Sequence, residues 1–157
     1  MTKNIIGLDK SDSQTLSDSL NNLLANYQVF YTNVRGYHWN IKGPQFFELH
    51  TKFEEIYNEL QTNIDDIAER ILTLGAMPEH SFSHYLEIAD IKEHTKATEA
   101  RETVGGLVDG FSQLIAKQRE ILDIAGDAND EGTAALMSDY IRAQEKHIWM
   151  FNAWLQR

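Results

Sequence analysis

Apolar residues recur along this chain at steps of three and four almost without interruption, the spacing of one face of an α-helix. Leu16, Leu20, Leu23, Tyr27, Tyr31 and Val34 form the first stripe. Ser11, Asp12 or Ser13 is placed to cap its start. The stripe ends near His38, and Gly43-Pro44 opens a second helix, with proline in the first turn where a missing N–H is harmless. The second stripe is the clearest: Phe46, Leu49, Phe53, Ile56, Leu60, Ile64, Ile67, Ile71 and Leu74, halted by Gly75 and Pro78. A third runs from Val104 through Leu107, Phe111 and Leu114 to Leu122 and stops at Gly126. Gly105, Gly106 and Gly110 weaken helix propensity there and blur its start. A fourth spans roughly Thr133 to Leu155.

Between the second and third stripes lie about twenty residues, too many for a simple helix hairpin. Within them HYLEIADIKE has the composition of a short helix. Two helix pairs joined by a long crossover that carries a short helix predict an all-α, ferritin-like four-helix bundle. One domain over residues 13–157, preceded by a short tail at 1–12, accounts for the whole chain.

Composition narrows the chemistry. The chain has 157 residues, with 14 Lys and Arg against 24 Asp and Glu, for a formal net charge of −10. Such a charge repels nucleic acid unless a basic patch reverses the field. The N-terminal tail offers only Lys3 and Lys10 for that purpose. Without cysteine there are no disulfides, zinc–thiolate sites or thiol nucleophiles. No apolar run is long enough to span a bilayer, and MTKNIIGLDKSDS does not read as a signal peptide, so a cytoplasmic protein is expected.

His50, Glu54, Asp65 and Glu69 each lie one or two positions past a stripe residue of the second helix. One position is about 100° of rotation, which puts all four beside the core face and on one side. Glu54 and Asp65 are eleven residues apart, about 16 Å along a straight axis, too far for one metal ion to touch both. Packing this face antiparallel against its copy across a two-fold axis removes the conflict: His50 and Glu54 of one subunit then meet Asp65 and Glu69 of the other. His38 can join from the end of the first helix. Imidazole and carboxylate donors suit iron, manganese or zinc. No glutamate has a histidine three residues later, so the Glu-x-x-His pairs of di-iron centres inside a bundle are missing.

Three motifs carry a resemblance. H38-W-N-I-K-G43-P-Q-F-F-E-L-H50-T-K-F-E54, then I64-D-D-I-A-E-R70 with L74-G-A-M-P78, resemble the signature segments of the Dps family, the miniferritins or "DNA-binding proteins from starved cells". The ending E145-K-H-I-W-M-F-N-A-W-L155 is similar to their last helix. The resemblance implies a homododecameric shell with ferroxidase sites at two-fold interfaces, built from His38, His50 and Glu54 of one subunit and Asp65 and Glu69 of its partner. Many members carry aspartate where this chain has Glu54. It implies two irons per site, oxidation of Fe(II) with hydrogen peroxide in preference to dioxygen, storage of the ferric mineral and protection against oxidative stress. Trp39 resembles the aromatic held to intercept stray oxidising equivalents. Asp130 and Asp139 are expected to belong to the acidic channels that admit iron, near the start of the last helix. The alternative role is the chromosome-compacting, DNA-binding one, which the sparse basic tail argues against. His80 and His84, beside Pro78, are expected to be solvated, and His147 to make structural hydrogen bonds.

Overall fold

The computed structural model describes residues 2–157. Its helices are α1 Lys10–Asn40, α2 Phe46–Thr73, α3 Phe82–Ile88, α4 Ala100–Asp127 and α5 Glu131–Leu155. No strand forms among the described residues. Helix α1 packs against α2 and α4, α4 packs against α5, and the short α3 in the crossover lies on α1. This is the four-helix bundle with a long crossover that the stripes predict. Leu16, Leu20, Leu23, Phe53, Leu60, Ile67, Phe111 and Leu114 are wholly buried between the helices, and removing that surface from water is the main force closing the bundle.

One polar network crosses this core. The Tyr27 hydroxyl donates to Gln118 Oε1 at 2.6 Å, Gln118 Nε2 donates to Gln144 Oε1 at 2.8 Å, and Gln144 Nε2 donates back to the Tyr27 oxygen at 2.7 Å. The closed ring ties α1, α4 and α5 together with every member satisfied, which a buried network needs to be tolerated. Two glycines of α4 are explained by the approach of α1. A Cβ at Gly110 would lie 2.1 Å from the Phe30 ring, and one at Gly106 would lie 2.2 Å from the Tyr37 hydroxyl.

Asparagines of α1 hold the crossover in place. Asn21 accepts from Glu79 N at 2.8 Å, Asn26 accepts from Asp90 N and Ile91 N at 2.9 Å, and Asn33 accepts from His94 N at 2.9 Å while donating to Lys92 O. These bonds satisfy backbone groups of a long loop that secondary structure leaves unpaired.

Element boundaries depart from the sequence reading in four places. Helix α1 is capped by Asp9, whose side chain accepts from Ser11 N and Asp12 N, and not by Ser11, Asp12 or Ser13. Asn4 accepts from Ile6 N and Leu8 N and donates to Ser13, folding the chain before the cap back onto α1. At the other end α1 continues two residues past His38. Pro44 sits in a turn ahead of α2, where Phe46 N bonds Gly43 O at 3.1 Å, so it precedes the first helical residue. The crossover helix begins at Phe82, capped by Ser81, and has closed by Ile88, earlier than HYLEIADIKE suggests.

Candidate metal centre

The tight turn between α1 and α2 folds His38 and His50 face to face. Their rings stack with centroids 3.8 Å apart and planes 14° from parallel. His38 Nδ1–H donates to the carbonyl of His50 at 2.6 Å, and His50 Nδ1–H donates to the carbonyl of His38 at 2.7 Å. A carbonyl only accepts, so both Nδ1 atoms carry the proton and both Nε2 lone pairs are left free. Backbone orientation of one ring nitrogen is the arrangement that prepares the other for a metal. Phe46 stacks on His50 and Tyr57 packs edge-on to His38, fixing the pair laterally.

Glu54, one turn beyond His50, brings Oε1 to 3.7 Å from His38 Nε2. That is too long for a hydrogen bond, and it is a separation two ligands of one ion can have. One chain therefore brings His38 close to His50 on one side and to Glu54 on the other. Asp65 and Glu69 are not among them. They lie further along α2, exposed, one helical turn apart. The Glu69 carboxyl is held above its ordinary pKa by a hydrogen bond shared with Asp65 and by the repulsion of Asp65 and Asp66. Two like charges at this spacing are unfavourable until a cation or proton separates them. Among the described residues, no three His, Asp or Glu side chains of one chain form a metal-holding cluster.

Trp39 is 63% exposed beside the histidine pair, with the Arg35 guanidinium 4.7 Å from its ring centroid. His147 bonds Glu59 at 2.7 Å and stacks on Phe111, a structural contact as expected. His80 is exposed, and His84 Nε2 stands 3.7 Å from Glu79. Asp139 is exposed and pairs with Arg142 at 3.2 Å.

Asp130 corrects the sequence reading. It is 2% exposed, caps α5 by accepting from Thr133 N at 3.0 Å, takes the Thr133 hydroxyl at 2.5 Å, and pairs with Arg70 at 2.6 Å. A carboxylate enclosed this way faces the protein, so it is structural and does not present itself to iron in a channel. An acid at a helix start reads the same in sequence whether it faces water or an arginine sixty positions earlier. The asparagine anchors of α1 were missed too, because their partners are loop backbone with no sequence signature.

The ferritin-like domain family profile matches residues 17–157. The chain is similar to the Dps protein of Vibrio cholerae O1, described as a member of a broad superfamily of ferritin-like diiron-carboxylate proteins, with 66% identity and a TM-score of 0.97 over 99% of this chain and 98% of that one. It is 42% identical to the DNA protection during starvation protein of Porphyromonas gingivalis, over 96% of this chain and 94% of the relative. The Dps protein of Bacillus brevis matches with 40% identity and a TM-score of 0.89, covering 92% and 97%. The fold and the matched profile define a ferritin-like protein. Within that class, the chain belongs to the Dps family.

Proposed function

We propose that this protein is a miniferritin that oxidises Fe(II), preferring hydrogen peroxide to dioxygen, at sites shared between two-fold-related subunits, and stores the ferric mineral inside a shell of twelve. The observation that carries the reading is the reciprocal lock of His38 and His50 through Nδ1, which turns both Nε2 atoms away from the backbone bonds and sets that of His38 3.7 Å from Glu54. That half-site lacks further ligands of its own, and the unneutralised Asp65–Glu69 pair on the same helix supplies them from a partner subunit. Two-fold pairing of α2 brings each half-site to its complement twice per dimer.

The chemistry follows from electron count. Two Fe(II) ions give one electron each, so H2O2 with two protons becomes two waters and no hydroxyl radical leaves. Imidazoles and carboxylates are acceptable to Fe(II) and Fe(III), and also to manganese or zinc, of which zinc, having no redox chemistry, would occupy the site without turnover. A net charge of −10 per chain, about −120 for twelve copies, favours cation uptake. Among the described residues no helix is long and apolar enough to cross a membrane.

Stopped-flow oxidation of Fe(II) by peroxide tests this, with Asp65→Ala/Glu69→Ala as the comparison and assembly checked by size. Fast oxidation that the double variant loses is expected; equal rates would refute the ligand set. Names of relatives that speak of DNA protection favour a second reading, binding to the chromosome. Acidity and the N-terminal residues folded onto α1 oppose it, so plasmid DNA should migrate unretarded at physiological salt.

A further inference from the structure

We infer that Tyr37, His94 and Glu102 form a redox-active tyrosine site, in which Tyr37 supplies an electron when an iron site is half filled and its proton passes to His94. This rests on the ferroxidase reading above. The Tyr37 ring is 2% exposed, and its hydroxyl is 2.5 Å from His94 Nδ1. His94 Nε2 lies 3.1 Å from Glu102 Oε1. A carboxylate only accepts, so Nε2 carries the ring proton and Nδ1 accepts from the phenol. The hydrogen bonds thus set the tautomer that can take the phenol's proton at the moment an electron leaves.

The arrangement is built. Gly106 of α4 is what allows it: a Cβ there would meet the Tyr37 oxygen at 2.2 Å and His94 Nδ1 at 3.0 Å. The helix gives up propensity at this position, and what it gains is this contact. Asn33, one turn before Tyr37 on α1, accepts from His94 N and donates to Lys92 O, so the crossover presents His94 in register with the phenol. Tyr37 immediately precedes the candidate ligand His38 in the chain and packs against Phe53, the neighbour of Glu54. On its outer side His94 lines an open cavity of about 620 Å³, a route for the proton to solvent.

Three other aromatics on this side of the bundle, Tyr31, Trp39 and Tyr57, are equipped the opposite way. Arg35 lies 5.6 Å from the Tyr31 centroid, 4.7 Å from Trp39 and 5.8 Å from Tyr57. A cation over a ring resists withdrawal of its electrons, whereas a base at the phenol oxygen assists it. With one Fe(II) bound, peroxide receives one electron from iron and the second from Tyr37. Peroxide, Fe(II), Tyr–OH, neutral His94 and two protons from solvent then give Fe(III), a neutral tyrosyl radical, protonated His94 and two waters. The phenol proton rests on His94 until it exchanges with solvent.

Electron paramagnetic resonance after rapid freezing tests this in the assembled protein, with less Fe(II) than sites and excess peroxide. A tyrosyl signal should appear in wild type, be lost in Tyr37→Phe, fall in His94→Leu and persist in Tyr31→Phe. Fe(III) absorbance in the same mixtures reports on the ferroxidase reading separately. A second arm omits iron and uses photo-excited ruthenium tris-bipyridine with persulfate as the one-electron oxidant. The same dependence on Tyr37 and His94 is expected there even if iron chemistry fails. A signal unchanged in Tyr37→Phe, or one that vanishes in Tyr31→Phe instead, would overturn the inference.

Discussion

Replacing Asp130 by alanine removes three contacts at once: the cap on Thr133 N, the bond from the Thr133 hydroxyl and the ion pair with Arg70. Loss of an N-cap side chain costs about 1 kcal/mol. Stranding a buried partner of an ion pair costs about 3–5 kcal/mol when burial is complete. The Asp130 side chain is 1% exposed but that of Arg70 is 20% exposed, so water recovers part of the second cost. A net destabilisation of about 3–4 kcal/mol follows. For a chain of this length it lowers the melting temperature by about 10 °C. Asp139, 66% exposed and paired with Arg142 on its own helix, is the matched control. Asp139→Asn should change stability by no more than about 0.5 kcal/mol. The assay is calorimetry at one subunit concentration, because assembly adds to the stability of the folded chain. An Asp130→Ala protein that melts within about 2 °C of wild type, below the shift of a single kcal/mol, would refute the structural assignment and return Asp130 to the channel candidates.

Alanine in place of a helical glycine should act with opposite signs along α4. Gly126→Ala, with nothing within 4 Å of the new Cβ, should stabilise by up to about 1 kcal/mol, whereas Gly110→Ala drives a methyl into Phe30 and should destabilise by about 2 kcal/mol net, both read by denaturant melts. The raised Glu69 pKa has a definite sign. The native state holds that proton more tightly than the unfolded chain does, so the pair contributes most at low pH and its contribution is lost as pH rises through the raised value. Carboxyl NMR of metal-free protein should show Glu69 titrating above the ordinary glutamate range, and Asp65→Asn should bring it down; an unmoved inflection would show that Asp65 is not the cause.

What the sequence made legible is what a local period can carry. Steps of three and four placed all four long helices, and the position of each candidate ligand relative to its stripe put His50, Glu54, Asp65 and Glu69 on one side of α2. The distance between Glu54 and Asp65 also shows in sequence that one ion cannot touch both on a straight helix. What stayed illegible depends on partners far along the chain. The cap at Asp9 lies seven residues before the first stripe residue, because α1 runs on for almost two turns without a buried apolar group to announce it. His38 and His50 are recognisable in sequence as candidate ligands, but their mutual lock is made of backbone carbonyls, which no residue type encodes. In sequence Asp130 reads as an acid facing water because its partner Arg70 is sixty residues away.

The glycines of α4 make the same point from the other direction. In sequence Gly106 and Gly110 are only a weakness in a helix, and nothing local repays it. In the folded chain each stands opposite an aromatic ring of α1, Tyr37 and Phe30 respectively. A substitution that fills either position therefore acts on α1 first. Gly110→Ala displaces a ring that packs on Phe111 at 5.1 Å and so is felt as a packing defect. Gly106→Ala displaces the hydroxyl of Tyr37 from His94, one residue before the candidate ligand His38, and on the proposed redox role of Tyr37 should be felt in redox chemistry before it is felt in the melting temperature. The local cost in helix propensity is thus a marker of where two helices must come close, and at Gly106 that closeness serves a hydrogen bond.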